Sequence, residues 1–382
     1  MPGKKVVVLG GGFGGVRAAI TARRLLPPDY EVTLLDRRRR TYICGSMPLL
    51  IVGEKEALKA SRSLGQISNR GVNYVETEIE RVDTQRRSVK ARAGEFPFDY
   101  LVVALGAEYD WDAVPNSRAG HSFYDLATAQ KLRSALSGLK RGRIIVAVAS
   151  TPYKCPPAPF EGAMMMRWAS KNRGVEAAVQ IDLYTPEPAP IPVAGAEASA
   201  CVAADLTRSG ITLHPNAAVK ELSRDGRSAT FTDGTTAEAD LIVTVPVHRM
   251  ARVAAESGIA GGKPWISVNP QSLETSIPGI YAIGDVNVVP MANSRPLPKA
   301  GIFASTEGDV VAQDIAARAV GGPRPTFTGE GYCFIAYSGK EAGRVSGLFL
   351  APDKPKVEFE QPSLKGFRAK ERFEQDWRRF RL

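Results

Sequence analysis

The chain has 382 residues, 44% of them hydrophobic, and carries 50 Lys and Arg against 40 Asp and Glu, a formal charge of +10. That length exceeds one ordinary hydrophobic core and implies two or three domains of a globular protein; the 36 glycines and 27 prolines have no period, which excludes collagen-like and low-complexity chains. The charge would suit nucleic acid, an anionic membrane or an acidic partner, but no RNA-binding signature, zinc-finger spacing or helix-turn-helix accompanies it, so nucleic acid is not an expected partner.

The opening residues, MPGKKVVVLGGG, enter a strand at once and leave no room for a visible secretory signal. No apolar run approaches the roughly 18 residues that span a bilayer. Residues 4–19, KKVVVLGGGFGGVRAA, run from a buried strand through GxGxxG at Gly10, Gly12 and Gly15 into a helix. In that context the glycines have separate tasks: a tight turn, close backbone approach to a pyrophosphate, and close helix–strand packing. The helix N-terminus then faces the phosphates. A second strand, EVTLLD, ends at Asp36, 26 residues after Gly10, where a carboxylate can accept hydrogen bonds from ribose hydroxyls. The following run, Arg37 to Arg40, reads as a solvated charged loop, with contact to an adenine or a 2′-phosphate as the alternative.

Two later segments specify the dinucleotide. DYLVVALGA, residues 99–107, closes an apolar strand on Gly106, and GIYAIGDV, residues 279–286, contains Asp285. They resemble the middle and closing motifs of flavoproteins with two dinucleotide-binding domains, which implies FAD and places Asp285 near its ribityl and pyrophosphate groups. The implied fold class is α/β, with two Rossmann-like domains of the glutathione-reductase type. The FAD domain is expected to be discontinuous, 1–106 and 245–320, around a second domain at 107–244 and followed by a C-terminal region, 321–382.

In the second domain the strand RGRIIVAVAS, residues 141–150, is followed by TPYKCPPAPFEGAMMM where NAD(P)H-dependent relatives need another GxGxxG. Prolines 152, 156, 157 and 159 remove N–H donors that phosphates require, so NAD(P)H is not the expected donor. Cys155 stands in this loop beside Lys154, which would lower its thiol pKa, and Glu161 follows six residues later as a candidate proton carrier. Taken alone, the segment also fits a proline-rich loop with a structural cysteine. Further on, PMANSRPLPKAGIFASTEG, residues 290–308, opens a helix where Lys299 could meet a flavin pyrimidine. GYCFIAYSGKEAGRVSGLF forms a strand pair that begins near Cys333.

PYKCPPAPFE, PLPKAG and GYCFIAYSGKEAG, with the three FAD motifs in order, closely resemble the flavoprotein subunit of flavocytochrome c sulfide dehydrogenase, whose architecture sulfide:quinone oxidoreductases share. The resemblance implies a redox disulfide between Cys155 and Cys333 beside the isoalloxazine, with Glu161 as base. It also implies FAD held covalently through Cys44, in RTYICGSMPLLIVG, although the residues after Cys44 depart from the pattern; a packed or free thiol is the alternative. The implied reaction is hydrosulfide attack on the disulfide, Cys155 keeping the sulfur as persulfide and Cys333 leaving as the flavin-side thiolate. Lys154 and Lys299 would supply positive charge for hydrosulfide and reduced flavin. Cys201, in EASACVAADL, reads as a buried small apolar residue. The four cysteines have no metal-ligand spacing, and none of the three histidines adjoins another ligand, so no metal is expected.

The C-terminal SLKGFRAKERFEQDWRRFRL spaces Phe373, Trp377 and Phe380 by four and three, with seven Lys or Arg against three acids. Such a helix can lie on an anionic membrane, which favours a quinone acceptor, or pack its stripe on the protein. Phe334 and Tyr337 would line a quinone pocket or belong to the core. A cytochrome c subunit is the competing acceptor. The expected location is a peripheral membrane surface or the periplasmic side in a prokaryote, with sulfide and polysulfide as ligands.

Overall fold

The computed structural model describes residues 3–380; the first two residues of the N-terminal run and the last two of the C-terminal basic segment lie outside the described residues. The β-branched run KVVVL forms strand β1 (Lys5–Leu9), followed by helix α1 (Phe13–Leu25), β2 (Glu31–Asp36), β3 (Asn73–Glu76) and β4 (Tyr100–Val103). The chain then builds β5 (Gly142–Val148), α2 (Ala158–Asn172), β6 (Val179–Tyr184), β7 (Ile211–His214) and β8 (Leu241–Val245). It returns through β9 (Ile280–Ala282) and α3 (Gly301–Val320), and ends in β10 (Glu330–Ala336), β11 (Ala342–Leu348), β12 (Lys356–Ser363) and α4 (Leu364–Arg378).

Five of these strands form a parallel sheet in the order β9-β4-β1-β2-β3. Leu9 pairs with Leu35 and Val103, and Ala282 with Val103, so the strands end level with one another. That register lines up the loops carrying Gly10, Asp36, Gly106 and Asp285 along one carboxyl edge, where α/β sheets bind ligands. A second parallel sheet has the order β7-β6-β5-β8, with Val148 opposite Val245. The two crossings between the sheets, Ala107–Asp110 and Val247–Met250, pair with each other in antiparallel fashion. The fold is therefore α/β with two Rossmann-like units. Their central strands are buried on both faces and read as continuous apolar runs, as parallel sheets require.

The last sheet, β10-β11-β12, is antiparallel, with Cys333 opposite Val345. Helix α4 starts on Ser363, whose hydroxyl accepts from Gly366 N. It packs inward, correcting the membrane-surface reading of its aromatic stripe. Trp377 is 3% and Phe380 6% exposed. The Trp377 ring lies 4.6 Å from Phe13 on α1, and Phe373 stacks on Phe13 at 6.1 Å and meets Tyr332 edge-on at 5.8 Å. The rings gain more by filling the seam between α1 and β10 than by facing water. The exposed side of α4 carries Lys365, Arg368, Arg372 and Arg379. Among the described residues no helix is long and apolar enough to cross a membrane.

Candidate functional site

The N-terminal turn is built as its glycines dictate. Gly10 has φ +101°, a conformation that glycine adopts without strain. A Cβ on Gly15 would lie 1.8 Å from the Gly10 carbonyl oxygen, so this glycine sets the approach of α1 to β1. A Cβ on Gly12 would meet nothing within 4 Å. Open space above Gly12, at the N-terminus of α1, is what a pyrophosphate needs. Asp36 is 5% exposed and its Oδ2 accepts from Gly11 N at 2.6 Å, fixing the carboxylate beside the turn. Its pKa is held below the ordinary range: burial would raise it, but the Arg38 guanidinium and the Gly11 and Arg38 amides outweigh burial.

The arginine run is ion-paired rather than freely solvated. Arg38 binds Asp36 at 2.9 Å, Arg37 reaches Glu78 and Arg39 reaches Glu76. Short glutamates on the neighbouring edge make this possible, and they lie too far away in sequence to be paired by inspection. Arg38 also lines both cavities described next.

Two cavities meet end to end along the carboxyl edge. One, of about 580 Å³, is lined by Gly10, Asp36, Arg38, Thr77 and Glu78; the other, of about 210 Å³, by Gly12, Gly106, Asp285, Lys299 and the N-terminus of α3. They share Arg38, Tyr42, Cys44, Leu105, Ala107 and Lys154. A continuous trough with an acid at one end and a glycine cradle at a helix N-terminus fits an extended dinucleotide such as FAD.

The smaller cavity also gathers the sulfur chemistry. Cys155, Glu161 and Cys333, from three separate segments, all line it, and exposed Cys44 stands where the two cavities join. The four cysteines are free thiols. Cys155 has φ +57°, a left-handed conformation costing a non-glycine residue roughly 1–2 kcal/mol. It is fixed by its amide, which donates to Lys299 O at 2.7 Å, and by its carbonyl, which accepts from Ala158 N at 2.8 Å. The loop of Cys155 is thus tied to the loop of Lys299. Burial, then Cys333 and Glu161, push the Cys155 thiol well above its ordinary range; burial and Glu161 push Cys333 up to about 12. Both thiols stay protonated unless a cation or a reaction supplies compensation.

Glu161, in the first turn of α2, is 1% exposed, and its Oε1 accepts from Ala336 N at 3.1 Å, joining α2 to β10. Burial raises it to about 7, against the opposing effect of Lys370 and the Ala336 amide. That value suits a group exchanging protons near neutrality.

Several expectations need correction. Lys154 does not lower the Cys155 thiol: its Nζ lies over the Tyr109 ring at 4.8 Å and 3.5 Å from Tyr124 O, turned toward Cys44. Burial would lower this ammonium, but Cys44, Tyr109 and Asp285 hold it well above its ordinary range. Adjacent residues in an extended loop point apart, so proximity in sequence misleads. Lys299 lines the cavity, yet its Nζ already donates to Asp285 O at 2.7 Å and Asn287 O at 3.0 Å, and lies 3.6 Å from the Trp265 ring centre. Burial lowers it to about 8. Phe334 lines the cavity; Tyr337 does not. Cys201 is partly exposed, within 3.5 Å of Gln361 Nε2, rather than buried.

The sequence reading missed Lys370 and Glu374 on α4, both of which line the cavity. Lys370 Nζ lies 2.8 Å from Glu374 Oε1 and 4.0 Å from Glu161 Oε1, and donates to Gly45 O next to Cys44. Their spacing of four on the aromatic face of the helix was the available signal.

The sequence model of the pyridine nucleotide-disulphide oxidoreductase family matches residues 4–149 and 162–306. The unmatched interval contains the Cys155 loop and ends at Glu161. The chain is 26% identical over 327 residues to a sulfide-quinone reductase of Aquifex aeolicus, covering 82% of this chain and 76% of that protein. It is 22% identical over 305 residues to the mitochondrial sulfide:quinone oxidoreductase of Mus musculus, covering 76% and 67%. To a type II NADH:quinone oxidoreductase of Staphylococcus saprophyticus it is 24% identical over 343 residues, covering 85% of each. The X-ray structure of the A. aeolicus sulfide:quinone oxidoreductase superposes with a TM-score of 0.86 at 21% identity, covering 98% of this chain and 92% of that one. This last likeness shows the fold.

Proposed function

The chain belongs to the pyridine nucleotide-disulphide oxidoreductase family, and on that premise we propose that it is an FAD-dependent sulfide oxidoreductase that works through Cys155 and Cys333 and delivers electrons to a quinone. The observation that carries this reading is the meeting of Cys155, Cys333 and Glu161 in one cavity with the dinucleotide cradle. Bound FAD would supply the two-electron acceptor at the open end beside Gly106 and Asp285. In the oxidised protein, hydrosulfide attacks the Cys155–Cys333 disulfide: an S–S bond forms on Cys155, the original S–S bond breaks, and Cys333 leaves as thiolate. The incoming sulfur ends as sulfane sulfur, having lost two electrons to FAD. Glu161 Oε accepts the proton released from the sulfur. Gly10, Gly12, Gly15 and Asp36 hold the adenosine and pyrophosphate half, Asp285 and Lys299 border the flavin half, and Cys44 is positioned for a covalent bond to the ring.

Reduction by NADH has little support in the second unit. Where the nicotinamide cradle would be, Ala158 N is already taken by Cys155 O, Pro157 and Pro159 have no N–H, and Glu161 occupies the first turn of α2. Phe13, Tyr332, Phe334 and Phe373 give the cavity an aromatic wall suited to a planar apolar acceptor, and two relatives are quinone reductases by name. Attachment to an anionic membrane would use the exposed basic side of α4 rather than its rings. A cytochrome c subunit as acceptor is the second reading, carried by the loop PYKCPPAPFE.

Anaerobic rapid mixing tests the reading. Sulfide should bleach the oxidised flavin and NADH should not. Cys155→Ala and Cys333→Ala should each lose sulfide reduction; bleaching by NADH alone, or unchanged rates in both variants, refutes the proposal. Decylubiquinone and cytochrome c, compared as acceptors, separate the two electron outlets. Acid precipitation that leaves yellow flavin with the protein, but not with Cys44→Ser, supports the covalent bond.

A further inference from the structure

The sulfur site contains a cation that does not come from the Cys155 loop. Lys370, 3% exposed on α4, faces the cavity. Around its Nζ stand Glu374 from its own helix at 2.8 Å, Glu161 from α2 at 4.0 Å, and Gly45 O from the Cys44 segment. Lys55, whose side chain is 16% exposed, binds Glu374 from the other side, with Glu371 and Arg378 further along the helix. Cys155, Cys333 and Cys44 complete the charged and titratable surroundings. Glu374 is thus shared between two ammonium groups. With Glu161 protonated, two cations face one carboxylate, and the cluster holds one unbalanced positive charge.

We propose that Lys370 is the charge-balancing residue of the dithiol site, and that the Lys55–Glu374–Lys370 cluster accommodates the single negative charge that enters with hydrosulfide and passes to the Cys333 thiolate. The proposal rests on the sulfide-oxidising reading for its substrate, but the cluster and its action on the thiols stand apart from it. The charge is conserved in the step: HS⁻ plus the disulfide gives a persulfide on Cys155 and a thiolate on Cys333, with one S–S bond made and one broken. Ionised Glu161 competes for the same positive charge, so arrival of the anion favours Glu161 in its protonated form. Lys370 offsets the burial of both thiols, the direction such a cation must act. Helix α4 is therefore part of the sulfur site, tying the Cys44 segment, α2 and β10 together through one ammonium.

The test needs no sulfide. The full-length flavoprotein is reduced, freed of reductant and treated with iodoacetamide across a range of pH, and alkylation of Cys155 and Cys333 is followed by mass spectrometry. Below the thiol midpoints the rate reports the thiolate fraction. Lys370→Met should alkylate about tenfold more slowly at both cysteines, equivalent to about one pH unit. Lys370→Arg should restore the rate to within about threefold, and Glu161→Gln should raise it by removing the competing carboxylate. Equal rates in Lys370→Met and the wild type would overturn the proposal. A faster rate in Lys370→Met would also overturn it, since opening of the helix exposes the thiols whereas loss of the charge protonates them. If Lys370→Met does not fold, Glu161→Gln decides: a rate equal to or below wild type overturns the competition on which the cluster depends. Failure of sulfide to reduce the flavin would refute the substrate assignment and leave these rates untouched.

Discussion

Gly12 and Gly15 belong to one turn but should fail in opposite ways when given a methyl group. Gly12 is the residue before α1, with φ −81°, so alanine there meets no backbone strain, and its Cβ would have no protein atom within 4 Å. The stability of Gly12→Ala without FAD should change by less than about 1 kcal/mol, and an increase is allowed because alanine restricts the unfolded chain. Its methyl projects into the space reserved for phosphate, so FAD affinity should fall by about ten- to a hundredfold, the effect of roughly 1–3 kcal/mol of overpacking. Gly15→Ala places Cβ 1.8 Å from the Gly10 carbonyl oxygen and 3.3 Å from the Ala104 Cβ. Relief requires α1 to withdraw by about 1.2 Å in an interior packed too closely to yield freely, and the protein without FAD should lose about 1–3 kcal/mol or more. Thermal melting of the deflavinated proteins and fluorescence titration with FAD, in a Cys44→Ser background that keeps binding reversible, read the two quantities separately. Equal destabilisation of both variants, or wild-type FAD affinity in Gly12→Ala, would refute the division of labour inferred for the turn.

The position of α4 can be tested without lipid. Trp377→Ala should cost about 3–5 kcal/mol in a thermal or denaturant melt, because the indole is buried against Phe13; a neutral result would return the stripe to a membrane surface. The pH dependence of stability should bear the mark of Glu161, whose carboxyl rises from 4.5 to about 7 on folding. A raised carboxyl binds its proton more tightly in the native state, so its contribution is full below about pH 4.5 and is lost as pH rises through 7, roughly 3 kcal/mol in all before relaxation. Glu161→Gln should flatten that part of the stability curve and remove any limb near neutrality from the rate of flavin reduction by sulfide; parallel stability curves for the two proteins would rule out the raised carboxyl.

Local patterns that recur with a fixed geometry were legible in the chain. A strand, a glycine turn and a helix in immediate succession place Gly10, Gly12 and Gly15, and parallel register does the rest by bringing Asp36, Gly106 and Asp285 to the same edge. The meeting of Cys155 with Cys333 came from the resemblance, since nothing in spacing or hydropathy connects a loop of the second sheet to a strand 178 residues later. Side-chain direction was beyond reach. Lys154 is next to Cys155 in sequence and turns toward Cys44, while Lys370, 215 residues from Cys155, faces the site. For α4 the period of the apolar stripe identified a buried face but could not say what buries it, because Phe13 and Tyr332 come from distant segments. Legibility also explains the second unit, where the loss of a cradle involves more than missing glycines. Glycines placed at 155 and 157 would restore backbone freedom and one N–H, yet Glu161 would still present its carboxyl to the pyrophosphate from the first turn of α2. That carboxyl is anchored to Ala336 N on β10 and faces Lys370 on α4. Recovery of an NADH site therefore requires dismantling the contacts that hold the dithiol site together, so the two electron inputs exclude each other in this chain.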